Sequence, residues 1–309
     1  MTCYYPLQAF YGARRPNGKR CIVFKEEERL YGAPFQVPCG RCVGCRLERA
    51  RQWGIRIMHE AQLYDDNCYL TLTYSDECLP VDKSLHPEHF ILFIRRLRRF
   101  ARSNSFKRDF PEYSRDNGIR YFHCGEYSPE KMRPHYHACI FNFDFPDRKY
   151  LKMSKGHPIY VSQMLDDLWG FGHCYIGNVS FDSANYVARY IIDKINGDKA
   201  IDRYTDKETG VYRHPEYVTM SRRPGIGAEW LYKYYDDVYP SDEVIVHGKS
   251  VRPPKFYDSR VEIHDPDFYA DLKAKRSDKA LMYSDDQSPE RLAIRETVKL
   301  SKLSLFKRK

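Results

Sequence analysis

No stretch of this chain approaches the roughly 18 consecutive apolar residues that a membrane-spanning helix needs, so no membrane partner is expected. The opening residues, MTCYYPLQAFYGARRPNGK, hold neither a long apolar run nor a small-residue cleavage site, and no signal peptide is read there. The expected compartment is therefore the cytosol, where thiols stay reduced. Ten cysteines in that setting are not a disulfide framework. The phosphate-cradling pattern G-x4-G-K-[ST] is missing, so P-loop nucleotide hydrolysis is not expected. Internal repeats and low-complexity segments are missing too, which excludes solenoids and arrays.

What is present is a globular share of apolar residues, 42% of 309, enough for one large domain or two modest ones. Aromatic residues reach 15%, with 26 tyrosines among them. A fold does not require so many phenols, and stacking on bases is one use for the excess. The formal net charge is +9. A basic balance joined to many aromatics points towards a nucleic-acid partner, with a plain basic surface as the alternative.

Residues 1–43 are punctuated by Pro and Gly and read as loops and short strands. Residues 45–64 carry Leu47, Ala50, Trp53, Ile57 and Ala61 at helical spacing. CYLTLTYS (68–75) alternates as a strand does. Residues 87–102 read as a basic amphipathic helix opening at Pro87. IRYFHCGEY (119–127) and HYHACIFNF (135–143) read as a hairpin across a polar loop with Ser128, Pro129 and Pro134. A short helix over 161–170 ending at Gly170, a strand over 173–180 and a helix over 182–195 capped by Asp182 or Ser183 follow. This order predicts an α+β fold: a central antiparallel or mixed sheet carrying the HYH strand, with helices on one face. The expected division is a Cys-rich segment and first helix over 1–64, a core over 65–197, and an accessory region with a basic tail over 198–309.

Three groups of residues carry chemistry. His135 and His137 are two apart on a strand, so both side chains leave one face and can chelate a divalent cation. Alone, such a pair is more often two half-buried polar residues. Glu126 closes the partner strand of the hairpin and supplies a third ligand, with His123 as its rival. Mixed nitrogen and oxygen ligands suit Mn²⁺, and Mg²⁺ is the alternative. Tyr186, Tyr190 and Lys194 form a row at i, i+4 and i+8. Paired tyrosines at that spacing usually pack a core, but an in-line lysine does not belong in one. A tyrosine hydroxyl, with its pKa near ~10, needs a nearby cation to act as a nucleophile, and Lys194 or the metal can provide it. Cys39, Cys42 and Cys45 stand as C-x2-C-x2-C, a spacing suited to structural zinc. Cys3 is the first choice for a fourth ligand and Cys21 the rival; unmetallated thiols and an iron–sulfur site are the other readings.

The ordered set of a Thr-rich hydrophobic strand, then HYH, then Y-x3-Y-x3-K resembles the three motifs of HUH-type replication initiators. Tyr136 departs from that pattern, whose middle residue is usually bulky and apolar. The paired tyrosines resemble the two-tyrosine class that includes the initiator of phiX-like phages. PCGRCVGCR and SRRPGIG (221–227) resemble signatures of the gokushovirus initiators, and the likeness spans roughly residues 1–260. The resemblance implies rolling-circle replication in the cytoplasm of a bacterial host. One tyrosine cleaves single-stranded origin DNA of the supercoiled viral genome and forms a 5′-phosphotyrosine link. A host polymerase extends the free 3′-OH, a host helicase assists, and the second tyrosine serves termination and rejoining. Beside such a site, Arg133 is placed to touch the scissile strand. Arg95 and Arg98 of the basic helix read equally as phosphate contacts or a solvated face. Arg222 and Arg223 read as a backbone clamp or only a loop. Two other readings stand: a relaxase or transposase of a mobile element, and a non-catalytic zinc-containing DNA-binding protein.

Overall fold

A computed structural model describes residues 3–16, 18–113, 118–128, 131–154, 156–193, 198–207 and 209–306, with the backbone alone over 189–193 and 198–199. The chain divides into two compact units, Met1–Arg49 with Ser259–Lys309, and Ala50–Asp258.

The first unit opens with β1 (Leu7–Arg14), β2 (Arg20–Val23) and β3 (Tyr31–Val37), ordered β2-β1-β3, with both outer strands antiparallel to β1. The Cys-rich turn then leads into α1 (Val43–Ala61). The second unit continues with β4 (Asn67–Thr73), α2 (Pro87–Ala101), α3 (Asn104–Asp109), β5 (Arg120–Tyr127), β6 (Pro134–Phe141), β7 (Lys149–Ser154) and β8 (His157–Val161). After these come α4 (Gln163–Trp169), β9 (Cys174–Gly177), α5 (Phe181–Asp193), α6 (Asp198–Tyr204) and β10 (Tyr217–Met220). Two short helices, α7 (Ala228–Lys233) and α8 (Tyr235–Val238), precede the small ribbon β11 (Val244–Val246) and β12 (Lys249–Val251) and then α9 (Lys255–His264). The chain closes with α10 (Pro266–Leu281) and α11 (Pro289–Phe306). Among the described residues no helix is long and apolar enough to cross a membrane.

The second unit is built on a seven-stranded sheet, β10-β5-β6-β4-β9-β8-β7, with every pairing antiparallel. This is the expected α+β architecture, and the sheet takes in β10 from beyond residue 197. Helices cover both of its faces, where one was expected. Leu70, Leu72, Tyr136, Ala138 and Ile140 meet Phe90, Phe93 and Leu97 of α2 and Leu165 and Trp169 of α4. On the other face Phe122, Cys124, Cys139 and Phe141 meet Ile57 of α1 and Ala184 and Val187 of α5. The reason lies in β5 and β6 themselves: nearly every residue of both strands is buried, whichever way it points. A strand apolar on both sides needs cover on both sides.

Local signals set the ends of the elements. Gly170 closes α4 in the left-handed region at φ 69°. The cap of α5 is Ser180, not Asp182 or Ser183. Its hydroxyl accepts from Ser183 N at 3.2 Å, and Ser183 Oγ accepts from Ser180 N at 2.8 Å, a reciprocal capping box. The β5–β6 hairpin turns as expected, with Ser128 N donating to Arg133 O at 2.9 Å.

Candidate metal centre and active site

Strand register builds the site. β6 lies between β5 and β4, with His135 opposite Glu126 and Thr73, and His137 opposite Cys124 and Thr71. Directly paired residues share a face of the sheet. Glu126, His135 and His137 therefore emerge together on the face covered by α1 and α5. Their candidate ligand atoms lie within 4.8 Å of one another. Both imidazoles aim at one carboxylate oxygen: Glu126 Oε1 is 2.5 Å from His135 Nε2 and 3.0 Å from His137 Nε2.

The other ring nitrogens are held from behind. His135 Nδ1 lies 3.1 Å from the Arg133 carbonyl oxygen, which can only accept, so Nδ1 carries a proton. In a neutral ring that leaves the Nε2 lone pair facing a carboxylate lone pair. A second proton or a divalent cation resolves that conflict. His137 Nδ1 meets Tyr69 Oη at 2.8 Å and Thr71 Oγ1 at 3.1 Å. Glu126 Oε2 is buried and has no hydrogen-bond partner. An orphaned carboxylate oxygen beside two converging imidazoles fits a divalent cation with nitrogen and oxygen ligands.

Burial pushes the Glu126 carboxyl up, but hydrogen bonds from His135 and His137 outweigh it and hold the pKa below its ordinary value. Burial likewise works against charge on His135, yet the Glu126 carboxylate raises that ring's pKa. His137, more deeply placed, is lowered by burial.

Tyr186 comes from α5, which Ala184 and Val187 anchor to this face. Its hydroxyl donates to Glu126 Oε1 at 3.1 Å, and its ring stands edge-on to His137 at 5.1 Å. It remains 39% exposed, so the hydroxyl is reachable from outside. A cleft of about 580 Å³ opens there, bordered by Tyr186, His135, His137, Thr73, Lys131 and Arg133. Arg133 spans the rim, donating to Asp76 Oδ1 and to the Tyr74 carbonyl, each at 2.7 Å.

Other expected residues fall elsewhere. Tyr190 lies in α5 but its side chain is outside the described residues, and Lys194 is wholly outside them. His123 pairs with Ala138 on the opposite face, stacked on Phe90 at 3.4 Å, so it does not join the cluster. Arg95 and Arg98 belong to α2, which packs against that same far face. Arg98 is also committed to the Ile119 carbonyl at 2.8 Å. Arg222 and Arg223 follow β10 where Ser221 N donates to Tyr121 O, at the end of β5 away from Glu126. The Tyr136 hydroxyl, unusual at its place in the motif, is satisfied by Tyr74 Oη at 2.8 Å and by His86 N at 2.9 Å. Tyr69 and Thr71, the supports of His137, are not among the residues expected from the sequence. Their signal is present in the alternation of CYLTLTYS.

The first unit holds a second cluster. The sulfurs of Cys3, Cys39, Cys42 and Cys45 lie within 4.8 Å of one another. Cys39 and Cys45 sulfurs are 4.0 Å apart, and those of Cys42 and Cys3 3.9 Å. Backbone amides point into the group: Cys39 N donates to Cys3 Sγ at 3.2 Å, and Tyr4 N to Cys42 Sγ at 3.4 Å. Amide donors favour thiolates, the form that ligates metal. Burial opposes charge on Cys42, but amide and thiol donors outweigh it and bring its pKa down to about 7. Cys21 instead receives a hydrogen bond from Arg15 Nε at 3.4 Å.

A sheet that sets two histidines and a glutamate under a helix-borne tyrosine has counterparts among phage proteins. The family model for the ORF2 type of replication-associated protein matches residues 67–195, which span β4 to α5. The chain is 35% identical to replication-associated protein VP4 of Bdellovibrio phage phiMH2K, over 89% of this chain and 82% of that one. It is 34% identical to replication-associated protein ORF2 of Spiroplasma virus 4, over 89% of this chain and 86% of that one. To replication-associated protein ORF4 of Chlamydia phage 1 it is 25% identical, over 72% of this chain and 53% of the relative. The chain belongs to this gokushovirus-type family of replication-associated proteins. No solved structure matches it.

Proposed function

We propose that the protein initiates replication of a small single-stranded DNA phage by nicking and rejoining viral origin DNA in the cytoplasm of its bacterial host. One observation carries this reading: the Tyr186 hydroxyl stands 3.1 Å from the carboxylate oxygen on which His135 and His137 converge. Glu126, His135 and His137 would hold Mn²⁺ or Mg²⁺, which supplies a Lewis acid for a phosphate oxygen when bound. Arg133 and Lys131, on the rim of the cleft, steady the flanking phosphates. The Tyr186 oxygen attacks the scissile phosphorus. A tyrosine–phosphorus bond forms as the bond to the 3′ oxygen breaks; the phenolic proton is lost to the open cleft and the 3′ oxygen takes one up. The 5′ end is stored on tyrosine, and the 3′-OH is left for a host polymerase, with a host helicase opening the duplex ahead. Tyr190, one turn further along α5, is the second nucleophile, and Lys194 supplies positive charge. The bond energy kept in the phosphotyrosine explains how rejoining proceeds without a nucleotide cofactor. In the first unit the four cysteines hold structural zinc.

The test uses labelled single-stranded origin DNA with Mn²⁺ and asks for an adduct that survives denaturation. Tyr186→Phe and Tyr190→Phe each keep the ring and lose one hydroxyl. Either single variant still forms adduct but gives no circular product, and the double variant forms no adduct. Adduct formation by the double variant overturns the reading.

A further inference from the structure

The phenols in excess of what a core needs are not all used by the cleft. One group of them lies on the three-stranded sheet of the first unit, on the face that carries Tyr11. Tyr11 pairs with Tyr31 on one side and Ile22 on the other, so all three side chains leave that face. Phe35 shares it and stacks on Tyr11, with ring centroids 4.4 Å apart and planes 30° from parallel. The Arg20 guanidinium sits over both phenols, 4.7 Å from the Tyr31 ring and 5.5 Å from the Tyr11 ring. The result is a row, Phe35–Tyr11–Tyr31, interrupted by a planar cation. It is open to solvent: Tyr31 is 44% exposed and Ile22 49%.

The end of the row is basic. Arg14 ends β1, and Arg15 and Lys19 lie in the turn to Arg20. Lys19 is tied to Glu262 at 2.7 Å, which leaves the three arginines as the cations of the strip. The three glutamates of the unit's strand connections, Glu26–Glu28, run behind the sheet. A Cβ on Gly12 would stand 2.9 Å from Val23 Cγ1 and 3.5 Å from the Glu28 carbonyl oxygen. Gly12 is next to Tyr11 in the strand and therefore faces the other way. Aromatic faces beside arginines match a chain of unstacked bases on a phosphate backbone. A duplex does not fit, because its base faces are already stacked inside the helix.

We infer that this face of β1–β3 is a second single-stranded DNA site, a sequence-tolerant platform separate from the cleft. The inference rests on reading the protein as one that handles single-stranded DNA, but its test does not pass through nicking. The full-length protein is titrated with a fluorescent oligonucleotide of mixed sequence, without added divalent metal, over a range of salt. Tyr31→Ala weakens binding about tenfold with the salt slope unchanged, the loss expected for one stacked base. Tyr31→Phe, which keeps the ring, binds as wild type. Arg20→Gln weakens binding and flattens the salt slope by about 0.7, the value for one phosphate contact on a single strand. All three variants still form the Tyr186 adduct at saturating origin DNA. Wild-type affinity in both Tyr31→Ala and Arg20→Gln overturns the platform and leaves the nicking reading standing. Equal competition by a duplex of the same length also overturns it. Absence of any adduct from wild-type protein, with the Tyr31 and Arg20 effects intact, removes nicking and leaves the platform.

Discussion

The two ligand clusters in this chain answer the same problem in opposite ways. In the Cys3–Cys39–Cys42–Cys45 group the four donors are all sulfur, three of them from one turn, and backbone amides point into them. Four soft donors close a tetrahedron and leave no place for a substrate. In the Glu126–His135–His137 group there are three donors, mixed in type, at the wall of a cleft of about 580 Å³ with a tyrosine hydroxyl at hand. Three donors leave coordination positions open. Closure makes the first group fit for holding a fold and the second for holding a phosphate. Removing a ligand should therefore damage structure in one unit and chemistry in the other.

The largest expected effect is at the open cluster. His135→Ala lowers nicking with Mn²⁺ by at least about a hundredfold, since loss of a ligand exceeds the ~10–100-fold typical of a support residue. Its far-ultraviolet circular dichroism and thermal melting stay close to wild type. Nicking at the wild-type rate removes the metal assignment. Collapse of the fold instead breaks the contrast, because the cluster would then be structural too.

Next comes the closed cluster. Purified protein carries about one zinc per chain, and Cys42→Ser loses it. Zinc binding in small domains is worth on the order of 10 kcal/mol, so the local cost is several kcal/mol. Hydrogen exchange rises over residues 3–49 before it rises over β4–β6. Metal analysis that finds no zinc in wild-type protein, with Cys39, Cys42 and Cys45 freely alkylated, removes this site.

The smallest effect sharpens the comparison within the open cluster. Tyr69→Phe removes the hydroxyl 2.8 Å from His137 Nδ1 and leaves Thr71 in place. Metal affinity falls about tenfold, and excess Mn²⁺ restores the rate. An unchanged Mn²⁺ titration means that His137 needs no such support.

Much of the site is legible in sequence because strand alternation is local. HYH puts two imidazoles on one face, and the hairpin brings Glu126 opposite His135, as the register bears out. The same parity excludes His123. The cap of α5 is harder to read, because Asp182 and Ser183 are also good capping residues and only the backbone turn picks Ser180. The helices on both faces are foreshadowed in HYHACIF, where Tyr136, Ala138 and Ile140 alternate with Cys139 and Phe141. The histidines of that run draw the eye to one side of the strand and hide its second apolar side. The basic helix misleads for a related reason: its arginines are visible in sequence, but the sheet face it covers is not.

The sequence by itself determined donor chemistry and spacing: sulfur at three-residue intervals, imidazoles two apart on a strand, phenols four apart on a helix. Those follow from the repeat of the local backbone, which neighbours in the chain dictate. Tertiary structure alone decided which groups meet. It brought Cys3 to the other three cysteines, set the Tyr186 hydroxyl against Glu126, and carried Arg95 and Arg98 to the far side of the sheet. No local period encodes these contacts. They depend on which apolar stripe of each helix finds which face of the sheet, and that is settled only when both faces bury their side chains together.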